Sequence, residues 1–343
     1  MESRIVKIGD VRIGGGNKPV IQSMCSTDTE DVQATICQIN ELTKEGCEII
    51  RVTVPTVKAA KAISKIKKAI KIPLIADIHY SPDLAILALE NGADKIRINP
   101  GNIGGRDKLT RIIISAKKHK AAIRIGVNEG SLESDLLKKY GSHSPKALVL
   151  SAKRWIKFFE NESFRNLVVS VKSSDVRTTI EANRMLKNCG YPLHIGVTEA
   201  GTKESGTIKS AIGIGTLLAE GVGDTIRISL STDPIEEVSV AKKILDALDI
   251  IKLPLRVIAC PTCGRNKSDV WGLAEKLERD FEPKKPLTVA VLGCGVNVVG
   301  ESKAADYAIV GVNGDKFTLF KKDKPIIRMA SYNQILSYLK KQI

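Results

Sequence analysis

The chain has 343 residues, 43% of them hydrophobic, 4% aromatic and 27% charged, enough for a sizeable core plus a smaller domain, which excludes a mini-protein that needs covalent staples. Its net charge of +15 points to anionic partners, but the excess lies in Lys (37 against 16 Arg), which more often solvates a surface than builds a site. No apolar run reaches the length of a membrane span and the start lacks a signal-peptide pattern, so the expectation is a cytoplasmic protein without a membrane partner.

The segment from Arg4 to Ile13, with Gly9-Asp10 between alternating residues, reads as a hairpin closing the bottom of a barrel. Eight short β-branched runs come next: Val20 to Met24, Ile49 to Val54, Leu74 to Ile78, Lys95 to Asn99, Ile123 to Val127, Leu167 to Val171, Leu193 to Val197 and Thr225 to Ser229. Each is apolar enough to be buried on both faces. Helical spacing lies between them, most clearly from Val57 to Ile70, where Val57, Ala60, Ile63, Ile66 and Ile70 share one face and Lys58, Lys61, Lys65 and Lys68 the other. The pattern predicts a (β/α)8 TIM barrel over residues 1–250, with a doubly wound sheet as the alternative. Past a helix over Ile235 to Ala247 the composition changes. Five strands are expected at Leu255 to Ala259, Leu287 to Leu292, Tyr307 to Val312, Phe317 to Phe320 and Ile326 to Met329, giving a small second domain over 251–343.

Barrel active sites sit at the C-terminal ends of the strands. Those ends carry Arg51, Asp77 with His79, Arg97 with Asn99, Arg124 with Asn128, Lys172, Glu199, and Arg227 with Ser229. One strand arginine is usually a salt-bridge residue; several at equivalent positions converge on one mouth. Guanidinium forks match phosphate oxygens bidentately, so the pattern suits a doubly phosphorylated or diphosphate substrate. The loop Pro100 to Gly105 is a weaker candidate for presenting backbone N–H groups to the same anion. Glu199 is a plausible acid in this basic mouth, or equally a counter-ion to the arginines. His119, His143 and His194 show no evident partners and read as structural.

An odd count of seven cysteines argues for thiols rather than a disulfide framework. Cys260-Pro261-Thr262-Cys263 with Cys294 allows a redox dithiol, a zinc knuckle or an iron–sulfur site. The set is one ligand short of four, and Glu301 is the obvious carboxylate to complete either metal site. Cys25, Cys37, Cys47 and Cys189 read as buried small hydrophobes.

Ile21-Gln22-Ser23-Met24 with Thr27-Asp28-Thr29, Ala76-Asp77-Ile78-His79, Arg97 through Gly104, Arg124-Ile125-Gly126-Val127-Asn128, Cys260 through Arg265, and Leu292-Gly293-Cys294 through Glu301 together resemble the 4-hydroxy-3-methylbut-2-enyl diphosphate synthase family, in order and over nearly the full length. The resemblance implies reductive ring opening and dehydration of 2-C-methyl-D-erythritol 2,4-cyclodiphosphate in the methylerythritol phosphate route to isoprenoids. It implies a TIM barrel followed by an α+β ferredoxin- or sulfite-reductase-like domain. That domain holds a [4Fe-4S] cluster on Cys260, Cys263, Cys294 and Glu301. It further implies a diphosphate held by Arg51, His79, Arg97, Arg124, Lys172, Arg227 and Ser229, reduced flavodoxin or ferredoxin as electron donor, and a head-to-tail homodimer. In this reading Glu199 protonates the leaving hydroxyl and Glu301 is an exchangeable, catalytic ligand. The sequence departs from the family at Cys294 to Glu301, where Val298-Val299 replaces the usual Gly-Pro turn with the spacing kept. Two other classes stay open: a phosphate-binding barrel synthase or transferase with a structural zinc domain, and a nucleic-acid-binding metalloprotein. The low aromatic content disfavours the second.

Overall fold

The computed structural model describes residues 2–141, 143–301, 305–322 and 324–342. The chain divides into two compact units, 1–250 and 251–343.

In the first unit the hairpin forms as β1 (Val6–Ile8) and β2 (Val11–Ile13), antiparallel. The eight runs become the parallel strands β3 (Val20–Met24), β4 (Ile49–Thr53), β5 (Leu74–Ile78), β6 (Lys95–Ile98), β7 (Ala122–Asn128), β8 (Leu167–Lys172), β9 (His194–Ile195) and β10 (Thr225–Ile226). They lie in the order β8-β7-β6-β5-β4-β3-β10-β9, and a parallel bridge between Val169 and Leu193 closes the ring. The predicted barrel is therefore present. One end is sealed by apolar packing: Val6, Ile8 and Ile13 of the hairpin cluster with Val20, Ile49, Ile75, Ala122 and Val168, which line the starts of the strands. Burial of this plug removes the polar backbone of that end from water and leaves the opposite end open for chemistry.

The helices between strands follow from capping and amphipathicity. The helix Val57–Ala69 is started by Thr56, whose hydroxyl accepts from the Ala59 amide. Ala60, Ile63 and Ile66 are buried as expected, whereas Val57, the first residue of the helix, is exposed. Among the supposed buried cysteines Cys25 and Cys47 are indeed buried, and burial pushes both thiols up to about 12. Cys37 is exposed on the helix Val32–Glu45.

The second unit contains a five-stranded mixed sheet, β11 (Leu255–Ala259), β12 (Leu287–Leu292), β13 (Tyr307–Asn313), β14 (Lys316–Lys321) and β15 (Lys324–Ala330), in chain order. The first three are parallel, with the helix Val270–Asp280 crossing from β11 to β12; the last three form two hairpins. The helices Val270–Asp280 and Tyr332–Gln342 bury Leu273, Leu277, Ile335 and Leu339 against one face of the sheet. A smaller cluster of Ala290, Leu292, Val298, Ala305, Ala308 and Val310 packs the other. Among the described residues of the whole chain no helix is long and apolar enough to cross a membrane.

Candidate functional site

Sheet register sets the first site. Arg97 on β6 pairs with Asp77 on β5 and with Arg124 on β7, so the three side chains leave the sheet on one face and at one level. Together with Arg51, His79, Asn128, Lys172, Arg227 and Ser229 they line a cavity of about 260 Å³ at the C-terminal ends of the strands. Met24, Gly126, Val127, Ser170 and Thr198 complete the lining. The volume suits one small molecule rather than a polymer.

The cations dominate this cavity. Asp77 sits at the centre of the group: its carboxylate lies 3.2 Å from Arg97 Nη1, 3.7 Å from Arg51 Nε and 3.7 Å from His79 Nε2. Burial raises the Asp77 carboxyl, yet Arg51, Arg97 and Arg124 outweigh it and hold the group below its ordinary 3.8. On the other side Glu237, from the helix Pro234–Ala247, accepts from the Leu230 amide at 2.9 Å and lies 3.8 Å from Arg227. Burial pushes its carboxyl up, partly offset by Arg227. These two carboxylates do not balance the surrounding guanidinium and ammonium groups. Arg51 is depressed to about 10 by burial and by neighbouring Arg227 and Arg97, despite Asp77. Arg124 and Lys172 are pushed further down by burial and by the other arginines. Nε of Arg97 and Arg227, and Nε and Nη1 of Arg124, have no hydrogen-bond partner among the described residues. A buried set of unpaired, mutually repelling donors is the electrostatic imprint of a multiply charged anion.

Two glycines make the convergence possible. A Cβ on Gly126 would stand 2.9 Å from Arg97 Nε, and one on Gly196 would meet Lys172 Nζ at 2.8 Å and the Arg227 carbonyl at 2.4 Å. Any side chain there would displace the basic groups from the mouth. Met24 is the other unforeseen participant: Arg51 directs Nη2 and Nε at its sulfur, 2.8 and 3.2 Å away, which fixes the guanidinium without neutralising it.

Not every expected residue enters the cavity. Asn99 is buried but does not line it; its amide reaches Asn128 at 3.4 Å, so it positions that side chain. Glu199 is exposed, adopts a left-handed backbone conformation (φ 51°) and is absent from the lining, where its neighbour Thr198 appears instead. Residues 100–103 form a short helical turn ended by left-handed Gly104, and no amide of that loop lines the cavity. His143 does have a partner, the Glu129 carboxylate at 2.9 Å. Asp77 lines the cavity, and its carboxylate is engaged by the cations around it, so it organises the basic groups. Replacing it, Asp77→Asn, is expected to cost about 3–5 kcal/mol at neutral pH, because Arg51 and Arg97 lose their shared partner. Since the folded pKa is lowered, this contribution is present above the ordinary carboxylate range and fades as pH falls through the lowered value. Urea denaturation of both proteins should therefore show a gap at pH 7 that narrows in acid; a constant gap down to pH 3 contradicts the assignment.

The three candidate ligand cysteines lie in the second unit. Cys260 directly follows β11, its amide bonded to the Val291 carbonyl at 3.0 Å, and Cys294 follows β12, so two thiols stand at the same ends of adjacent parallel strands. The Gly293 amide donates to Cys260 Sγ at 3.2 Å. The loop bearing Cys263 is tied to the same place through Lys267 N to Gly293 O at 2.9 Å. A Cβ on Gly293 would lie 2.1 Å from Asn266 Oδ1, so the two loops pack with no room for a side chain between them. The exposed Cys263 thiol is lowered by the Arg265 amide and then by its guanidinium, favouring the thiolate a metal needs. Beyond Cys294 the chain makes a 3₁₀ turn (Gly295–Asn297) and a helical turn (Val298–Glu301). The lost Gly-Pro turn is thus replaced by helix, anchored by Val298 buried in the small apolar cluster. The carboxylate of Glu301 lies outside what the structure describes. Among the described residues no three His, Cys, Asp or Glu side chains converge on a single-ion site. The residues present fit a cluster in their chemistry: three thiols on two loops held to each other, with a backbone N–H directed at one sulfur.

A family profile described as the GcpE TIM-barrel domain matches residues 3–242, and one described as the GcpE protein C-terminal domain matches 256–343. The chain is 53% identical to a 4-hydroxy-3-methylbut-2-en-1-yl diphosphate synthase (flavodoxin) of Caldanaerobacter subterraneus, over 99% of this chain and 96% of that protein. It is 49% identical to the protein of the same name in Fusobacterium nucleatum, over 99% and 96%. Among solved structures, dihydropteroate synthase of Stenotrophomonas maltophilia superposes with a TM-score of 0.54 at 12% identity, covering 72% of this chain and 98% of that one. That likeness concerns the barrel fold alone.

Proposed function

The chain belongs to the GcpE family, and from that premise we propose that it catalyses the two-electron reductive opening of 2-C-methyl-D-erythritol 2,4-cyclodiphosphate, with loss of water, to (E)-4-hydroxy-3-methylbut-2-enyl diphosphate. The observation that carries this reading is the unbalanced basic cavity on the barrel, in a chain about half identical to synthases over their full length. The relatives' names specify flavodoxin, which the proposal takes as the electron donor.

In this mechanism Arg51, Arg97, Arg124, Lys172 and Arg227 hold the cyclic diphosphate, with His79, Asn128 and Ser229 as further donors at the rim. Their field is strongest when the ring C–O bond breaks, because the diphosphate then gains negative charge that unpaired buried cations stabilise without reorganising. Asp77 and Glu237 keep the guanidinium groups oriented while leaving donors free for the substrate. Cys260, Cys263, Cys294 and Glu301 would hold a [4Fe-4S] cluster, which supplies electrons one at a time when bound. The leaving hydroxyl needs a proton. Glu199, outside the cavity lining, meets that need only if the loop after β9 turns it inward; Thr198 and His79 already border the cavity. The head-to-tail homodimer stays part of the proposal.

Anaerobic purification followed by iron, sulfide and zinc analysis tests the cofactor assignment. Brown protein with about four irons and four sulfides per chain is expected. Colourless protein with stoichiometric zinc returns the chain to the barrel synthase with a structural metal.

A further inference from the structure

One layer below the arginines, the barrel interior holds a basic group that the proposed reaction does not use. Lys95 opens β6 two residues before Arg97, so its side chain leaves the same face of the strand nearer the sealed end. Its register neighbours, Ile75 and Ala122, belong to the apolar plug. Lys95 is fully buried, and Nζ has no hydrogen-bond partner among the described residues. Two other strands contribute unmatched polar atoms: His194 of β9, whose Nδ1 pairs with Thr225 Oγ1 at 2.8 Å while Nε2 pairs with nothing, and Gln22 of β3, with both amide atoms unpaired. The charges acting on Lys95 are Arg124 and Arg51, both of its own sign. The carboxylates of the region, Asp77 and Glu237, are committed to Arg51, Arg97 and Arg227, and Lys172 adds a further basic group above.

An ammonium so placed is disfavoured twice, by burial and by like charge, and both lower its pKa. A diphosphate in the cavity offsets the like charge by setting two negative charges among the same arginines. We propose that Lys95 is neutral in the free protein and takes up one proton from solvent when a diphosphate fills the cavity above it, so that substrate binding is coupled to protonation inside the barrel. The inference rests on the diphosphate reading. A cyclic diphosphate carries a single strongly acidic oxygen on each phosphorus and is fully ionised throughout the neutral range, so protons taken up on binding go to the protein. Lys95 receives the proton before His194 because an amine is intrinsically about four pH units more basic than an imidazole. Above the pH at which free Lys95 loses its proton, the dissociation constant then rises by up to about tenfold per pH unit.

Calorimetric titration of the iron-loaded protein with the cyclodiphosphate, in two buffers of different ionisation enthalpy, reads the proton count directly. Wild type is expected to take up about 0.5–1 proton per site near pH 7.5. Lys95→Met, of similar volume, is expected to bind within a few-fold and take up almost none. Undiminished uptake in Lys95→Met overturns the proposal and assigns the proton to Lys172 or His194. Binding by wild type without uptake, or with an affinity flat from pH 6 to 9, overturns it while leaving the diphosphate reading intact. Failure of wild type to bind at all defeats that reading and this inference together. If Lys95→Met does not fold, Lys95→Gln serves in its place, with the same loss of uptake expected and the same undiminished uptake overturning the proposal.

Discussion

Arg124→Met is expected to make the barrel more stable and nearly abolish substrate binding. Arg124 is 3% exposed, its Nε and Nη1 are unpaired, and burial with Arg51 and Arg97 nearby presses its pKa far down. Folding therefore works against this charge. Removing a buried cation that Asp77 offsets only in part, and filling the space with an apolar chain, should stabilise the fold by about 1–3 kcal/mol. The same group is among the donors that a diphosphate finds ready, and losing a buried charge-assisted contact costs about 2–5 kcal/mol of binding, or at least roughly 30-fold in the dissociation constant. Thermal denaturation and calorimetric titration on one preparation check both signs. A variant that loses stability along with binding would show that Arg124 holds the barrel together rather than the ligand.

The second large effect concerns the cysteine loops. Cys294→Ser is expected to lower iron content and reduce turnover by more than about 100-fold, since changes merely adjacent to metal ligands already cost 10–100-fold. The fold should survive, because Cys294 is only partly buried and belongs to neither apolar cluster of its unit. Glu301→Ala separates ligand from scaffold. A carboxylate is the exchangeable member of the set, so its loss should leave much of the iron in place and still depress turnover. Unchanged iron content and unchanged turnover in Glu301→Ala would show that Glu301 is not a ligand.

The strands were legible because a buried parallel strand writes itself as a continuous apolar run, and all eight barrel runs and all five later ones form strands. The cavity was legible for a related reason. A charged residue in such a run has no surface to reach, so Arg51, Arg97, Arg124, Lys172 and Arg227 could point only into the mouth. What stayed hidden reaches the site by routes without a local signature. Glu237 comes from a helix, where an acid normally faces solvent. Met24 acts through its sulfur in a position that reads as core. Gly126 and Gly196 act by lacking a side chain, although a glycine inside a β-branched run is a signal of close approach that could have found them. Glu199 is the opposite case. Its place after β9 suggested the mouth, but the left-handed turn at that residue leaves its side chain exposed. Lys95 heads its strand, two residues from a conspicuous arginine, and only the register shows that it shares the inward face.

The central claim is that this chain opens a cyclic diphosphate by reduction. Anaerobic incubation of the iron-loaded protein with the cyclodiphosphate and reduced flavodoxin, followed by phosphorus NMR, tests it most directly. The ring phosphorus signals are expected to give way to those of a linear allylic diphosphate, and Arg124→Met and Cys294→Ser are both expected to prevent this. A protein that carries its iron, accepts electrons and binds the cyclodiphosphate yet leaves the ring intact would contradict the claim.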